Sequence, residues 1–164
     1  MEGGRSRGGS RRRAGAGGPR PRRGAVEEVS AGGVVVRGDD VLLVVPTRRA
    51  ANGSRVVALP KGHLDGDETA EQAAMREVRE EGGVDAEIVA SLGEVRYHYR
   101  RDGRLISKVV HFFHFAFRSG SPDNHDHEIE DARWVPIEQA VGELSYPGER
   151  DMVRRVLSKT RADR

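Results

Sequence analysis

The chain has 164 residues with no Cys, 36% hydrophobic and 33% charged residues, and a formal net charge of +2. A chain of this size is expected to form one domain, and the absence of Cys excludes disulfide-stapled modules, thiolate zinc sites and iron–sulfur clusters. No long uncharged apolar run is present, and no apolar segment follows the Arg-rich start, so we expect a soluble cytoplasmic protein without a membrane partner. Any metal must be held by oxygen or imidazole ligands.

Residues 1–25 differ in composition from the rest of the chain. They hold eight Arg against one Glu and eight of the 21 Gly, whereas the remaining residues carry 20 basic and 25 acidic side chains. Such a segment buries too little apolar surface to offset its ordering entropy, so we predict a disordered Arg/Gly-rich arm over 1–25. Weak contact with RNA through the Arg side chains is one interpretation. The lack of aromatic residues favours the other, a solubilising tail.

The remaining residues predict a compact domain of the α/β (α+β) class over 26–158, followed by a C-terminal tail over 159–164. Two strands joined by the turn residues Gly38-Asp39-Asp40 come first. A short third strand ends at Pro60, which cannot donate to a central ladder, and a loop follows it. These strands are predicted over Glu28 to Arg37, Val41 to Val45 and Val56 to Leu59, and the loop over Lys61 to Asp67.

A helix is predicted over residues 70–81. Thr69 followed three residues later by Gln72 forms a capping box, and Gly82-Gly83 ends the helix. A second long hairpin follows, and its return strand places Phe113, Phe115 and Phe117 on one face and Val110 and Phe112 on the other, a run that is predicted to be core rather than a cofactor site. The later elements are predicted as strands over Glu87 to Tyr99, Leu105 to Arg118 and Ala132 to Val135, a helical turn over Pro136 to Val141 and a helix over Glu149 to Leu157.

Three carboxylates share one face of the predicted helix, because Glu77, Glu80 and Glu81 stand at positions i, i+3 and i+4. Like charges at this spacing destabilise an isolated helix by about 0.2–0.5 kcal/mol per pair, so a counter-charge is expected. A hard cation such as Mg²⁺ would supply it, since it prefers oxygen ligands and bridges carboxylates to phosphates. The alternative is a solvated face on which Arg76 pairs with Glu80. The buried stripe is expected at Ala70, Ala74 and Val78, with Ala73 on the carboxylate face.

The residues from Gly62 to Val84 fit the pattern G-x5-E-x7-R-E-U-x-E-E-x-G-U at all nine specified positions. The chain therefore resembles the Nudix hydrolase family, and the resemblance extends roughly from Val26 to Leu157. It implies hydrolysis of a nucleoside diphosphate linked to another group, with Mg²⁺ or Mn²⁺ as cofactor. The fold it implies is a Nudix-type α/β/α sandwich with a mixed sheet.

The resemblance also implies roles for individual residues. Glu77, Glu80 and Glu81 resemble the metal-binding carboxylates, and the carbonyl oxygen of Lys61 resembles a further ligand. Glu128, six residues before Trp134, resembles a distal carboxylate. The general base is then either Glu77 or Glu128, because reach to the water decides that role before pKa does. The supporting residues implied are Gly62, Glu68 and Arg76, of which the last two would form a charge-assisted hydrogen bond between loop and helix.

Three segments outside this pattern resemble the diadenosine polyphosphate hydrolase branch of the family, namely Leu59 to His63, Tyr97 to Tyr99 and Tyr146 to Arg150. Lys61 and His63 are candidates for contact with a polyphosphate. Tyr97, Tyr99 and Tyr146 are candidates for stacking on a purine, and the alternative is that they pack against neighbouring elements. Other open interpretations are a nucleoside triphosphate or nucleotide-sugar pyrophosphatase, and a non-catalytic nucleotide- or RNA-binding regulator.

Overall fold

The computed structural model describes residues 24–163, so the predicted arm over 1–25 lies almost entirely outside the described residues. Within residues 24–163 the chain forms six strands and three α-helices. These elements are β1 (Val26–Arg37), β2 (Asp40–Pro46), β3 (Lys61–His63), α1 (Ala70–Gly82), β4 (Val84–Arg101), β5 (Arg104–Gly120), β6 (Ile129–Pro136), α2 (Ile137–Glu143) and α3 (Pro147–Ala162).

The strands form one sheet in the order β4-β5-β1-β2-β6, with β3 paired to β1. β1 and β5 run parallel, whereas the other pairs are antiparallel, so the sheet is mixed. Both predicted hairpins, β1–β2 and β4–β5, are therefore confirmed. Their strands extend beyond the predicted bounds by up to three residues at each end.

Core lies on both faces of the sheet, and the run in β5 that is predicted to be core contributes to each. Phe113 and Phe115 belong to one cluster with Val78 of α1. Phe112, the neighbour that points the other way, belongs to a second cluster with Val153 of α3 and with residues of α2. The result is an α/β/α sandwich with α1 on one face and α2 and α3 on the other, which confirms the predicted fold class.

Residues 58–63 lie between β1 and β2, except beside the hairpin turn that joins the two strands. The two strands pair only beside the turn, at Val36↔Val41 and Arg37↔Asp40. Farther along, Ala58 exchanges backbone hydrogen bonds with Val44 of β2, at 2.8 and 2.9 Å, while Lys61–His63 pairs with β1. The segment from residue 58 to residue 63 therefore lies between the strands, at the middle of the sheet.

The predicted third strand over Val56 to Leu59 is wrong, and so is the predicted loop at Lys61. Ala58 forms an isolated bridge to Val44, but the ladder cannot continue because the Leu59 N–H donates to a side chain and Pro60 has no N–H. Pairing resumes at β3. There Gly32 of β1 permits close approach, since a Cβ on Gly32 would overlap the Pro60 carbonyl oxygen and the Lys61 side chain.

The last helix is longer than predicted at both ends. α3 starts at Pro147, two residues before the predicted Glu149, and runs to Ala162 through most of the segment predicted as a tail over 159–164. Pro at the first helical position has a preset φ and lacks a donor that would be unpaired there in any case. Leu157 still packs against the core, beyond it the last turn is mostly polar, and the Thr160 hydroxyl donates to the Val156 carbonyl oxygen at 3.0 Å.

Helix α1 begins with the predicted capping box. The Gln72 N–H donates to the Thr69 hydroxyl at 3.1 Å, and the Thr69 N–H donates to the Gln72 side chain at 3.0 Å. Gly83 ends the helix at φ +74°, the left-handed conformation that glycine adopts at low cost. Among the described residues, none of the helices combines the length and hydrophobicity needed to cross a bilayer.

Replacing Thr69 by Ala should lower the free energy of unfolding by about 1 kcal/mol, because one N–H in the first turn of α1 loses its acceptor. Urea denaturation measures the change. Thr160→Ala is the matched control, since that hydroxyl bonds only within α3 and Ala is the better helix former. Equal unfolding free energies for wild type and Thr69→Ala would contradict the capping role.

Candidate active site

A cleft of about 590 Å³ opens beside the segment that separates β1 from β2. One wall is acidic and comes from α1 and from the loop before β6. The cations Arg48 and Lys108 and several residues of the segment 58–63 also line the cleft. The acidic wall consists of Glu77, Glu80, Glu81 and Glu128, so the structure brings all four predicted carboxylates to one cleft.

Arg76 holds the acidic wall together. Its Nε and Nη2 donate to the two carboxylate oxygens of Glu68, each at 2.9 Å, and this bidentate bond lowers the pKa of Glu68. Its Nη1 donates to Glu77 at 2.8 Å and to Glu80 at 3.1 Å. Nη2 also donates to the His63 carbonyl oxygen at 2.9 Å. One guanidinium therefore joins α1 to β3 and to the loop between them.

Glu77 is buried, with 8% of its surface exposed. The prediction that the buried stripe excludes Ala73 is wrong, because Ala73 is fully buried in the same cluster as Val78. Burial raises the pKa of Glu77, and the nearby charges of Glu80 and Glu128 raise it further, against the opposing effect of Arg76. Gly62 faces this carboxylate so closely that a Cβ at residue 62 would overlap it.

Glu81 points toward Lys61, the first residue of β3. Its carboxylate accepts a hydrogen bond from the Lys61 N–H at 3.1 Å. Burial raises the pKa of Glu81 to about 8, and the charge of Glu77 adds to this effect while the Lys61 N–H opposes it. Lys61 therefore belongs to the acidic wall through its backbone.

Within residues 24–163, no three carboxylate or imidazole side chains converge at metal-binding geometry. The predicted cluster of Glu77, Glu80 and Glu81 is thus not preassembled, because Arg76 bonds the first two and Lys61 the third. The donor set still fits a hard cation. Several carboxylate oxygens line one cleft, two of these groups are disfavoured as bare charges, and such oxygens are the ligands that Mg²⁺ and Mn²⁺ prefer.

Glu128 differs from the other three carboxylates. It is exposed, and its carboxylate accepts no hydrogen bond from the described residues. Its backbone is nevertheless held, because the Glu128 carbonyl oxygen accepts from the Thr47 N–H at 2.9 Å and its N–H donates to Asp126 at 3.1 Å. The side chain thus projects into the cleft from a well-held backbone.

A second cavity of about 610 Å³ adjoins the first. It brings together all five residues predicted to contact substrate, which are Lys61, His63, Tyr97, Tyr99 and Tyr146. As whole residues, Tyr97 and Tyr146 are 41% and 37% exposed. Tyr99 instead donates its hydroxyl proton to Glu28 at 2.8 Å, so it has a structural partner of its own.

Two cations at the junction of the cavities are missed by the sequence prediction. Arg48 and Lys108 line both cavities, as do Lys61 and His63. Burial lowers the pKa of Lys108, and the charges of Lys61 and Arg48 lower it further. The one feature of the sequence that could have indicated Lys108 is its position as a single Lys within the largely apolar strand β5. Nothing in the sequence places the loop residue Arg48 beside it.

Comparisons with known proteins identify the family of this chain. A family model described as the NUDIX domain matches residues 27–156. A protein of Mycobacterium tuberculosis (strain CDC 1551 / Oshkosh) that bears the name mutator protein MutT4 is 39% identical over 140 residues, which cover 79% of this chain and 56% of that protein. The 8-oxo-(d)GTP phosphatase of Mycolicibacterium smegmatis is 31% identical over 102 residues, 62% of this chain and 30% of that protein.

The chain thus spans about half or less of the length of these two relatives. Among solved structures, the C. elegans Ap4A hydrolase matches with a TM-score of 0.60 and 21% identity over 82% of this chain and 98% of that one. At this identity the likeness concerns the fold alone.

Replacing Gly62 by Ala should lower the free energy of unfolding by about 1–3 kcal/mol, because the added methyl group overlaps the buried Glu77 carboxylate. Gly142→Ala is the matched control. A Cβ at residue 142 meets nothing within 4 Å, so Ala should leave α2 equally stable or stabilise it by about 0.5–1 kcal/mol. Urea denaturation measures both changes, and equal effects would contradict the close contact at Gly62.

Proposed function

Because the chain belongs to the Nudix family, we propose that it hydrolyses a phosphoric anhydride bond in a nucleoside diphosphate linked to another group. The preferred substrate is a dinucleoside polyphosphate. One observation carries this proposal: the carboxylate wall, a set of cations and an aromatic pocket follow one another along two adjoining cavities. In that order, the carboxylates would hold the catalytic metal, the cations would line the phosphate chain and the aromatic pocket would bind the nucleobase.

The metal ligands in this proposal are the carboxylates of Glu77, Glu80 and Glu81 and the carbonyl oxygen of Lys61. When bound there, Mg²⁺ or Mn²⁺ supplies positive charge at the attacked phosphate and makes the water nucleophile more acidic. Arg76 keeps Glu77 and Glu80 on one side of the cleft through its bonds to both. Its bidentate bond to Glu68 fixes the guanidinium and thereby the orientation of the two carboxylates that it bonds.

Glu128 is the general base in this proposal. Two groups are candidates, and Glu77 is buried with its carboxylate already engaged by a hydrogen bond from Arg76 at 2.8 Å. Glu128 lines the same cleft, is exposed and receives no such bond from the described residues. A carboxylate without a donor is better able to accept a proton from water.

The phosphate chain would lie along Arg48, His63 and Lys108, which line both cavities. Arg48 and Lys108 supply positive charge where an anionic chain must pass from the acidic wall to the aromatic pocket, and the His63 ring lies beside them. The nucleobase of the substrate would stack on Tyr97 or Tyr146, the exposed tyrosines of the pocket. The preference for a dinucleoside polyphosphate rests on the resemblance of Leu59 to His63, Tyr97 to Tyr99 and Tyr146 to Arg150 to the diadenosine polyphosphate hydrolase branch.

A nucleoside triphosphate is the second candidate substrate, supported by the 31% identity to a relative named as an 8-oxo-(d)GTP phosphatase. Incubating the purified full chain with Mg²⁺ and diadenosine polyphosphates, nucleoside triphosphates or nucleotide sugars would rank these classes by kcat/KM. The highest value is expected for a diadenosine polyphosphate. Hydrolysis in ¹⁸O-labelled water identifies the attacked phosphorus. Absence of turnover with every compound would refute the enzymatic proposal in favour of a binding module.

Replacing Glu80 or Glu81 by Gln should lower kcat by about 10²–10⁴, which corresponds to about 3–5 kcal/mol of lost transition-state stabilisation. The affinity for Mn²⁺ should fall with it, while the free energy of unfolding changes little. Steady-state kinetics, calorimetry and urea denaturation measure the three quantities. Glu138→Gln is the control, because Glu138 is an exposed residue of α2 that pairs with Arg161. Wild-type rates in both cleft variants would exclude the metal assignment.

Replacing Glu128 by Gln should lower kcat by about 10²–10⁴ with little change in Mn²⁺ affinity, because the proton acceptor is lost while the metal ligands stay. Comparing Glu128→Gln with Glu80→Gln in the same two assays separates the base from the ligands. A fall in Mn²⁺ affinity as large as that of Glu80→Gln would instead place Glu128 among the ligands.

Replacing Tyr97 by Ala should raise KM by about 5–150-fold, the range expected for the loss of about 1–3 kcal/mol of base stacking. Tyr97→Phe keeps the ring and should retain a KM close to that of the wild type. Measurements on a diadenosine polyphosphate and on inorganic tripolyphosphate distinguish base from phosphate contacts. An equal effect on both compounds would contradict the stacking role.

A further inference from the structure

Glu149 lies in the first turn of α3, outside the motif that contains the carboxylates of α1, and only 4% of its surface is exposed. One carboxylate oxygen accepts a hydrogen bond from the Leu59 N–H at 2.6 Å. The other pairs with the Lys61 ammonium at 2.5 Å, and the Lys61 side chain is itself only 12% exposed. A single buried carboxylate thus holds two positions of the segment that leads into β3.

The same segment is also held by α1, on the other face of the sheet, and by β1 within the sheet. The Lys61 N–H donates to Glu81 of α1 at 3.1 Å, and the Pro60 carbonyl oxygen accepts from the Gly33 N–H at 3.1 Å. Lys61 is therefore fixed by its backbone to one helix and by its side chain to another. Through this residue, α1 on one face of the sheet is connected to α3 on the other.

Residues just before Glu149 continue this attachment. The Ser145 N–H donates to the Val57 carbonyl oxygen, and the Val57 N–H donates to the Ser145 hydroxyl, both at 2.9 Å. Gly148 packs so closely on β4 that a Cβ there would overlap Val95. The start of α3 is thus itself held against the sheet and offers a rigid support for residues 57–61.

A buried ion pair is a weak source of stability, because the desolvation of two charges offsets most of their attraction. What the Lys61–Glu149 pair contributes is a defined position for Lys61, whose N–H bonds to Glu81 and whose carbonyl oxygen is a metal ligand in the proposed function. We propose that Glu149 is a positioning residue for the metal-binding carboxylate site and acts through Lys61. This inference rests on the metal assignment within the proposed function.

The test uses the full-length chain and measures Mn²⁺ affinity by calorimetry without nucleotide. The variants are Glu149→Gln, Lys61→Met and the double variant, none of which alters the Lys61 carbonyl group. Positioning predicts that each single variant weakens Mn²⁺ binding about tenfold, the lower end of the range for residues that orient metal ligands. It also predicts that the double variant is no weaker than either single one, because both substitutions break the same contact.

A simple charge effect predicts a different pattern. Removing the negative charge of Glu149 would weaken cation binding, whereas removing the positive charge of Lys61 would strengthen it. Single variants that shift Mn²⁺ affinity in opposite directions, or not at all, would therefore overturn the inference, as would a wild-type chain that binds no Mn²⁺. If Glu149→Gln does not fold, Lys61→Met still distinguishes the two patterns by the direction of its shift.

Asp151→Asn is the matched control, since Asp151 is an exposed acid of the same helix that pairs with Arg154. Its Mn²⁺ affinity should stay within about twofold of the wild type, because a surface ion pair contributes little. The two proposals fail separately. A wild-type chain that hydrolyses polyphosphates while all variants bind Mn²⁺ normally refutes only the role of Glu149. A chain that hydrolyses nothing, but whose variants bind Mn²⁺ weakly, refutes only the proposed reaction.

Discussion

The crowding of carboxylates in one partly buried cleft is the constraint on which the rest of the site depends. Two unit charges 4 Å apart repel by about 4 kcal/mol at an effective dielectric constant of about 20, and burial makes each charge more costly. The pKa values of Glu77 and Glu81 are raised for this reason. Arg76 compensates Glu77 and Glu80, and the Lys61 N–H compensates Glu81. Glu128 alone has no protein donor among the described residues.

The presence of both signs of charge in the cleft follows from the sheet topology. The acidic wall is formed by α1 and the loop before β6, whereas Lys108 comes from β5 and Arg48 from the loop after β2. These elements meet because the segment from 58 to 63 keeps β1 and β2 apart. A ligand with alternating positive and negative parts, such as a metal-loaded polyphosphate, matches this arrangement better than a neutral ligand would.

Local signals in the sequence account for most of the elements. The capping box at Thr69, the left-handed Gly83 and the turns of the two hairpins act over three or four residues, so they can be identified without tertiary contacts. The errors occur where long-range contacts decide. The segment Val56 to Leu59 has the composition of a strand, but the Leu59 N–H bonds to Glu149, which lies 90 residues farther along the chain. No local pattern reveals that partner.

The sequence by itself determined three of the four carboxylates of the acidic wall, since the spacing of Glu77, Glu80 and Glu81 follows from the geometry of one helix, whereas Glu128 reaches the cleft from the separate loop before β6. The burial of Glu77 was not predicted, because it depends on the packing of α1 against β3. Tertiary structure alone decided which cations line that cleft and which residue holds Lys61. Arg48, Lys108 and Glu149 come from three separate elements, and only the folding of the sheet and α3 brings them to one site.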